Sequence, residues 1–343
     1  MTRRLAEVAA KVGVSTATVS RVLNGKGGVS EPTRQAVLTA LDVLGYERPT
    51  QLRGERSRLV GLVLPELQNP IFPAFAEVAG GALVQQGFTP VLCTQTTGGV
   101  QEPDYVELLL QQHVSGVLFV GGLYALADSS HEHYAQLTER NLPTVLINAA
   151  VDGLAFPRVS CDDAVAVEQS IAHLRHLGHT RIGLILGLPD HVPSQRRLTA
   201  ARAQQGRNGF ELPDDRVVYS LFSIEGGQAA ATALLDRGMT ALVCASDPIA
   251  LGAIRAVRRA GLSVPNDVSV IGYDDSALMT CTDPPLTTVR QPIEPMGRAA
   301  VDLLVGQING GTFAPNELFY EPELVVRSST APAPAAARAT QPA

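Results

Sequence analysis

The sequence predicts an N-terminal all-α helix-turn-helix headpiece followed by an α/β core of two doubly wound parallel-sheet lobes. Three observations carry this. Helical apolar spacing fills residues 1–45. From Leu59 onward, short continuous apolar runs alternate with amphipathic stretches, the pattern of parallel strands buried on both faces. Charge divides at the same point: residues 1–58 carry a balance of +5 and the rest −11, within a net charge of −6. A small basic module on a large acidic body points to a polyanionic partner for the front end. The length of 343 residues exceeds one ordinary core and suits two or three domains.

In LAEVAAKV, Leu5, Val8, Ala9 and Val12 repeat at i, i+3, i+4, i+7, one face of a helix. Gly13 stops it. Ser15 offers an N-cap hydroxyl to a second helix whose inner face is Val19, Val22 and Leu23. A third helix over 31–44 has Pro32 in its first turn, apolar Val37, Leu38, Leu41 and Leu44, and Gly45 at its end. Two short helices joined by a tight turn, with a third to close the core, form a helix-turn-helix. Thr16, Ala17 and Arg21 then lie on the outer face of the second helix. Arg21 can donate two parallel bonds to guanine O6 and N7, while Thr16 and Ala17 offer a hydroxyl or methyl to a base edge. Ser20 and Asn24 complete the candidate DNA-binding set. The competing possibility is an ordinary three-helix bundle with a solvated arginine.

Residues 46–58, polar, basic and interrupted by Pro49 and Gly54, have the composition of a linker. About ten short strands follow, too many for one sheet domain, so residues 59–329 divide into two similar lobes. The first is expected at about 59–156 and 287–317, the second at about 157–286 and 318–329. Ligands of such folds bind beyond the strand C-termini, here between the lobes. The Ala/Pro-rich residues 330–343 are expected to be disordered. Cys93, Cys161, Cys244 and Cys281 form no CxxC pair and are expected as buried, reduced thiols. With no export-type apolar segment at the start and no membrane-length apolar run, a cytoplasmic protein is expected.

LAEVAAKVGVSTATVSRVLNG, HLRHLGHTRIG (173–183), ASDPIALGAIRA (245–256), VPNDVSVIGYDDS (264–276) and PPLTTVRQP (284–292) resemble the lactose-repressor (LacI) family of sugar-responsive transcription regulators. The likeness covers about residues 3–329. LDVLGYERP, PELQNPIFPA and QGFTPVLCTQTTGG are similar to its actinobacterial maltose-utilisation repressors. The resemblance implies a periplasmic-binding-protein-like core and a homodimer bound to double-stranded operator DNA. It also implies a sugar effector, maltose or maltodextrin, with another glycoside or a nucleoside as the alternative. Thr16, Ala17 and Arg21 fall where the family reads the major groove. Leu52 falls where a hinge leucine wedges into the minor groove, although this hinge is about three residues shorter than usual and Gly54 weakens a helix there. Asn148, Arg197, Asp247, Asp274 and Gln291 fall at positions facing the cleft. Phe222 falls where an aromatic stacks on the sugar, and Phe72 lies on the first-strand loop. Ala200 replaces a usual glycine and Ser246 a frequent asparagine.

Plainer roles compete at several positions. Asp247 can cap a helix whose next residue is Pro248, and Asp274 and Asp275 can be turn residues. His173, His176 and His179 are too widely spread for a metal site and are expected at the surface; His131-Glu132-His133 is expected as a polar loop. No metal or cofactor is expected. An enzyme on this fold would need a phosphate cradle or nucleophile elbow, but no GxxxxGK[ST], strand-borne GxGxxG or GxSxG occurs, and both lysines lie in the first 26 residues. A soluble sugar-binding protein without DNA activity would share the core but needs an export signal and no basic headpiece.

Overall fold

The computed structural model describes residues 2–23, 28–43, 58–95, 98–206 and 210–334. The chain forms two compact units, Met1–Arg58 and Leu59–Ala343. Asn24, Pro49, Leu52 and Gly54 lie outside the described residues.

The small unit holds α1 (Thr2–Val12), α2 (Thr16–Leu23) and α3 (Glu31–Val43). Gly13, at φ 73°, ends α1 in the left-handed region that costs glycine nothing, and its N–H returns to the Ala9 carbonyl at 2.9 Å. Ser15 Oγ accepts from the Thr18 N–H at 3.0 Å and Ser30 Oγ from Thr33 N–H at 3.4 Å, so each later helix begins on a serine cap. Val8, Val19, Val22 and Val37 are fully buried together.

The large unit contains two six-stranded sheets. The first uses β1 (Leu59–Leu64), β2 (Thr89–Thr94), β3 (Gly116–Val120), β4 (Thr144–Ile147), β5 (Arg158–Cys161) and β11 (Glu317–Tyr320), in the order β11-β5-β4-β3-β1-β2. The second uses β6 (Ile182–Leu186), β7 (Val217–Tyr219), β8 (Ala241–Cys244), β9 (Ser269–Asp274), β10 (Thr287–Arg290) and β12 (Glu323–Val325), in the order β12-β10-β9-β8-β6-β7. All pairings are parallel except β12 against β10. Helices α4 (Ile71–Gln85) and α11 (Ile293–Ile308) cover one face of the first sheet, α5 (Glu102–Gln111) and α6 (Glu132–Glu139) the other. Along β1, Val60, Leu62 and Leu64 enter one apolar cluster and Val63 the opposite one. That two-sided burial is why the strands are continuous apolar runs rather than alternating ones. The second lobe carries α7 (Asp163–His176), α8 (Val192–Ala203), α9 (Ile224–Asp236) and α10 (Asp247–Arg259).

Strand pairing corrects the expected lobe limits. The chain passes between lobes after Cys161, after Arg290 and after Tyr320. Residues 158–161 therefore belong to the first lobe, 287–290 to the second and 317–320 to the first. A short strand of mixed polarity suits either sheet, and only its hydrogen-bonded neighbour assigns it. The tail is also corrected in part. The Ala333 N–H donates to the Leu177 carbonyl at 2.8 Å, and the Ala331 N–H to Ser269 Oγ at 3.0 Å, so residues 330–333 are tied to the second lobe; residues 335–343 lie outside the described part.

His179 is buried, not superficial: its ring pairs with Thr240 Oγ1 and with Ser269 Oγ and the Ala331 carbonyl. Residues 131–133 are the start of α6 rather than a polar loop, with His133 buried. Cys93, Cys161 and Cys244 are buried, but Cys281 is exposed. Among the described residues no helix is long and apolar enough to cross a membrane, and no cluster of potential metal ligands gathers.

Candidate functional site

On α2, Thr16, Ala17 and Arg21 are exposed and Ser20 half-buried, opposite the buried Val19 and Val22. A helix presents positions i, i+1, i+4 and i+5 on one side, so short polar groups and one guanidinium share a face of the size that enters a major groove.

Between the lobes of the large unit lies a cavity of about 800 Å³. Its walls are the ends of β2 and β9 and the segments that follow β1 through β8 and β10, the carboxyl ends where open α/β sheets bind ligands. Three non-glycine residues there hold positive φ: Asn148 at 73°, Asp274 at 114° and Asp275 at 54°. Such backbone conformations persist where the surroundings enforce them, and they turn Asn148 and Asp274 into the cavity.

Arg197, on α8, is held from three sides. Its Nε donates to Asp163 Oδ1 at 2.7 Å and its Nη1 to the Ala245 carbonyl at 2.9 Å. Its guanidinium lies 3.7 Å from the centroid of the Tyr273 ring. Asp274 Oδ1 accepts from Gln291 Nε2 at 2.7 Å, while Gln291 Oε1 is buried without a hydrogen-bond partner among the described residues. Phe72 and Phe222 line the walls, and Phe222 meets the His191 ring edge-on at 5.4 Å between centroids. Burial, with the Arg197 charge nearby, pushes the His191 imidazole down to about 4, so it stands neutral at pH 7.

Of the cleft residues expected from the sequence, Phe72, Asn148, Arg197, Phe222, Asp274 and Gln291 line this one cavity. Asp247 does not line it. Its Oδ2 accepts from the Ser276 N–H at 2.7 Å and its Oδ1 from Thr288 Oγ1 at 2.7 Å, so it ties β9 and β10 together behind the wall. The cap of α10 is Ser246, whose Oγ accepts from the Ile249 N–H at 3.4 Å. Asp275 bonds Arg290 Nε at 2.7 Å and Arg327 Nη2 at 2.6 Å, a structural role. Asp163, Asn69, Gln95 and His191 line the cavity without having been singled out in the sequence; Asp163 follows the Asp162 cap of α7 and reads there as an ordinary helix-start acid.

The polar wall is electrostatically tense. Burial raises the Asp247 carboxyl to about 6 and Asp274 well above the usual carboxylate range, with the Asp247 charge adding to it. Asp163 is raised by burial even beside Arg197. Such acids bind protons more tightly folded than unfolded, so stability falls as pH rises from the unfolded value near 4 through the folded value.

A two-lobed ligand-binding core carried on the same chain as a helix-turn-helix reader defines the class of ligand-controlled DNA-binding regulators. Two family models match: residues 4–49 that of the bacterial regulatory proteins of the lacI family, and residues 171–330 that of the periplasmic binding protein-like domain. The chain is 54% identical over 340 residues to the transcriptional regulator reg1 of Streptomyces lividans, covering 97% of this chain and 98% of the relative. It is 53% identical over 339 residues to the regulator MalR of Streptomyces coelicolor, with the same coverage. Among solved structures it is similar to a complex of the regulator CelR with cellobiose, with a TM-score of 0.72 and 36% identity over 95% of this chain and 99% of that one. It is also similar to a lac repressor dimer bound to operator and the anti-inducer ONPF, with a TM-score of 0.70 and 29% identity over 94% and 98%. The chain belongs to the LacI family of bacterial transcription regulators.

The raised Asp274 carboxyl sets a pH test. Asp274→Asn removes an acid whose ionisation burial opposes, so the variant's thermal midpoint relative to the parent should climb between about pH 4 and pH 7. Thermal unfolding across that range checks this; a pH-independent offset contradicts it.

Proposed function

We propose that this protein is a homodimeric, cytoplasmic transcriptional repressor rather than an enzyme, and that its effector is maltose or a maltodextrin bound between the core lobes. The observation that carries the sugar assignment is that Arg197, Asp274 and Gln291 line one cavity together with the aromatic rings of Phe72 and Phe222. Polyols present paired hydroxyls and apolar C–H faces. A guanidinium donates to them in a fixed planar fork, a carboxyl oxygen accepts from them, and aromatic rings pack on the C–H edges. Cellobiose in the CelR complex shows a disaccharide held by a relative of the same architecture. The identity of 53% to MalR supports the maltose assignment that the sequence resemblance implied.

In this account two copies present two α2 helices to a two-fold operator, with half-sites mirroring the protein's symmetry. Arg21 supplies the strongest base contact, Thr16, Ala17 and Ser20 flank it, and Asn24 and the hinge residue Leu52 are assigned to the same interface. Sugar binding draws the lobes together about the three chain crossings after Cys161, Arg290 and Tyr320. The first lobe's movement then reaches the headpiece through the linker at 46–58.

Two measurements test these assignments. Thermal-shift screening of the purified protein against maltose, maltotriose, cellobiose and nucleosides should give its largest shift with an α-linked glucose oligosaccharide. The largest shift with cellobiose or a nucleoside overturns the maltose assignment, and none with any sugar overturns the cavity assignment. Arg21→Ala should weaken binding to the specific operator by about 1–3 kcal/mol and flatten sequence preference; an equal loss on random DNA shows that Arg21 touches only phosphate.

A further inference from the structure

We propose that Glu102 is a positioning residue for the effector site, holding rigid the first lobe's half of a clasp that closes the cavity. The proposal rests on the sugar assignment above for its ligand.

Glu102 is the first residue of α5 and is fully buried. It does not line the cavity, yet its carboxylate gathers four donors from three separate segments. Oε1 accepts from His133 Nε2 at 2.9 Å and from the Tyr134 hydroxyl. Oε2 accepts from the Leu123 N–H at 3.1 Å and from Gln95 Nε2 at 3.4 Å. A carboxylate is costly to bury unless its lone pairs are filled, so this arrangement has to be stabilised by what it holds. What it holds is cavity wall: Gln95, and the 3-10 turn Leu123–Ala125, both line the site.

The same turn is fastened further. The Tyr124 N–H donates to Tyr134 Oη at 2.8 Å, and the Gly121 N–H to Tyr124 Oη at 2.6 Å. The Tyr124 hydroxyl donates to the Ile147 carbonyl, one residue before Asn148. His131 Nε2 bonds the Leu123 carbonyl at 3.0 Å. Gly122 makes room for the carboxylate: a Cβ there would stand 2.3 Å from Glu102 Oε2.

The residues that follow this anchored turn meet the second lobe directly. Leu126 pairs with His191 in an isolated antiparallel bridge, and the Ala127 N–H donates to the Asp190 carbonyl at 3.0 Å. Asp190 and His191 belong to the second lobe and lead into α8, which carries Arg197. The clasp therefore joins the two lobes at the cavity wall, which Leu126 and His191 both line, and Glu102 is the point from which its first-lobe side is held in register. A loosened turn lowers the population of the closed, binding-competent arrangement, and apparent affinity falls by the same fraction.

The test uses the full-length protein. In Glu102→Gln the amide turns a donor toward groups that already donate, so at least one contact is lost. Maltotriose affinity by calorimetry should fall about tenfold or more, the scale of a hydrogen bond to a charged group, and dissociation should quicken by a similar factor. Ala127→Pro, which removes the clasp's N–H and leaves Glu102 intact, should act in the same direction and covers the case in which Glu102→Gln does not fold. Oxidative cross-linking of an Ala127→Cys, Asp190→Cys pair in a Cys281→Ser background, without sugar, should give a lower yield when Glu102→Gln is added. A lowered thermal midpoint with unchanged sugar dissociation and unchanged cross-linking makes Glu102 merely structural and overturns the proposal. If the parent protein takes up no sugar, the sugar assignment fails, and the cross-link yield alone decides whether Glu102 holds the clasp.

Discussion

The guanidinium of Arg197 is a permanent charge almost wholly removed from water, and such a group is tolerated only when it is paired and packed. The fold meets that demand from three places. Asp163 comes from the start of α7 and the Ala245 carbonyl from the end of β8. Tyr273 comes from the end of β9, and Arg197 itself from α8. Satisfying one side chain thus draws the carboxyl ends of the second sheet onto a single wall. Asp274 and Gln291 are the next residues along that wall, one following Tyr273 in β9 and the other following β10.

The wall is built against its own stability. Asp163, Asp247 and Asp274 are all pushed toward their neutral forms by burial, and Asn148, Asp274 and Asp275 hold left-handed backbone. Sites that must recognise a polar ligand often store such tension, because groups that satisfied one another fully would have little to offer an incoming hydroxyl. Gln291 Oε1, buried and unpaired among the described residues, is the plainest instance. Asp247 lies one step back: its bonds to Ser276 and Thr288 keep the ends of β9 and β10 in place.

Much of this is legible in the sequence where periodicity or local chemistry carries it. The 3.6-residue repeat and serine caps of the headpiece, and the continuous apolar strands of the core, announce their environments directly. Other features depend on partners far along the chain. Nothing within LRHLGHTRIG shows that His179 is enclosed, because its partners are Thr240, Ser269 and Ala331. Glu102 reads as an acid in the first turn of an exposed helix until His133 and Tyr134 close over it. The lobe limits misplace β5, β10 and β11 for the same reason: a four-residue strand of mixed polarity does not record which sheet it joins. Asp247, matched by position to the cleft, has its carboxylate turned to Ser276 and Thr288.

One chain carries an exposed face on α2 and a cavity between the lobes of its core, and the proposed function requires that the two share one free-energy balance. The direct measurement is reciprocal titration. Operator affinity is determined with and without saturating sugar, and sugar affinity with and without saturating operator. Each ligand should change the other's affinity by one common factor, on the order of 5–150-fold. A factor of one in both directions, with both ligands still binding, would contradict it.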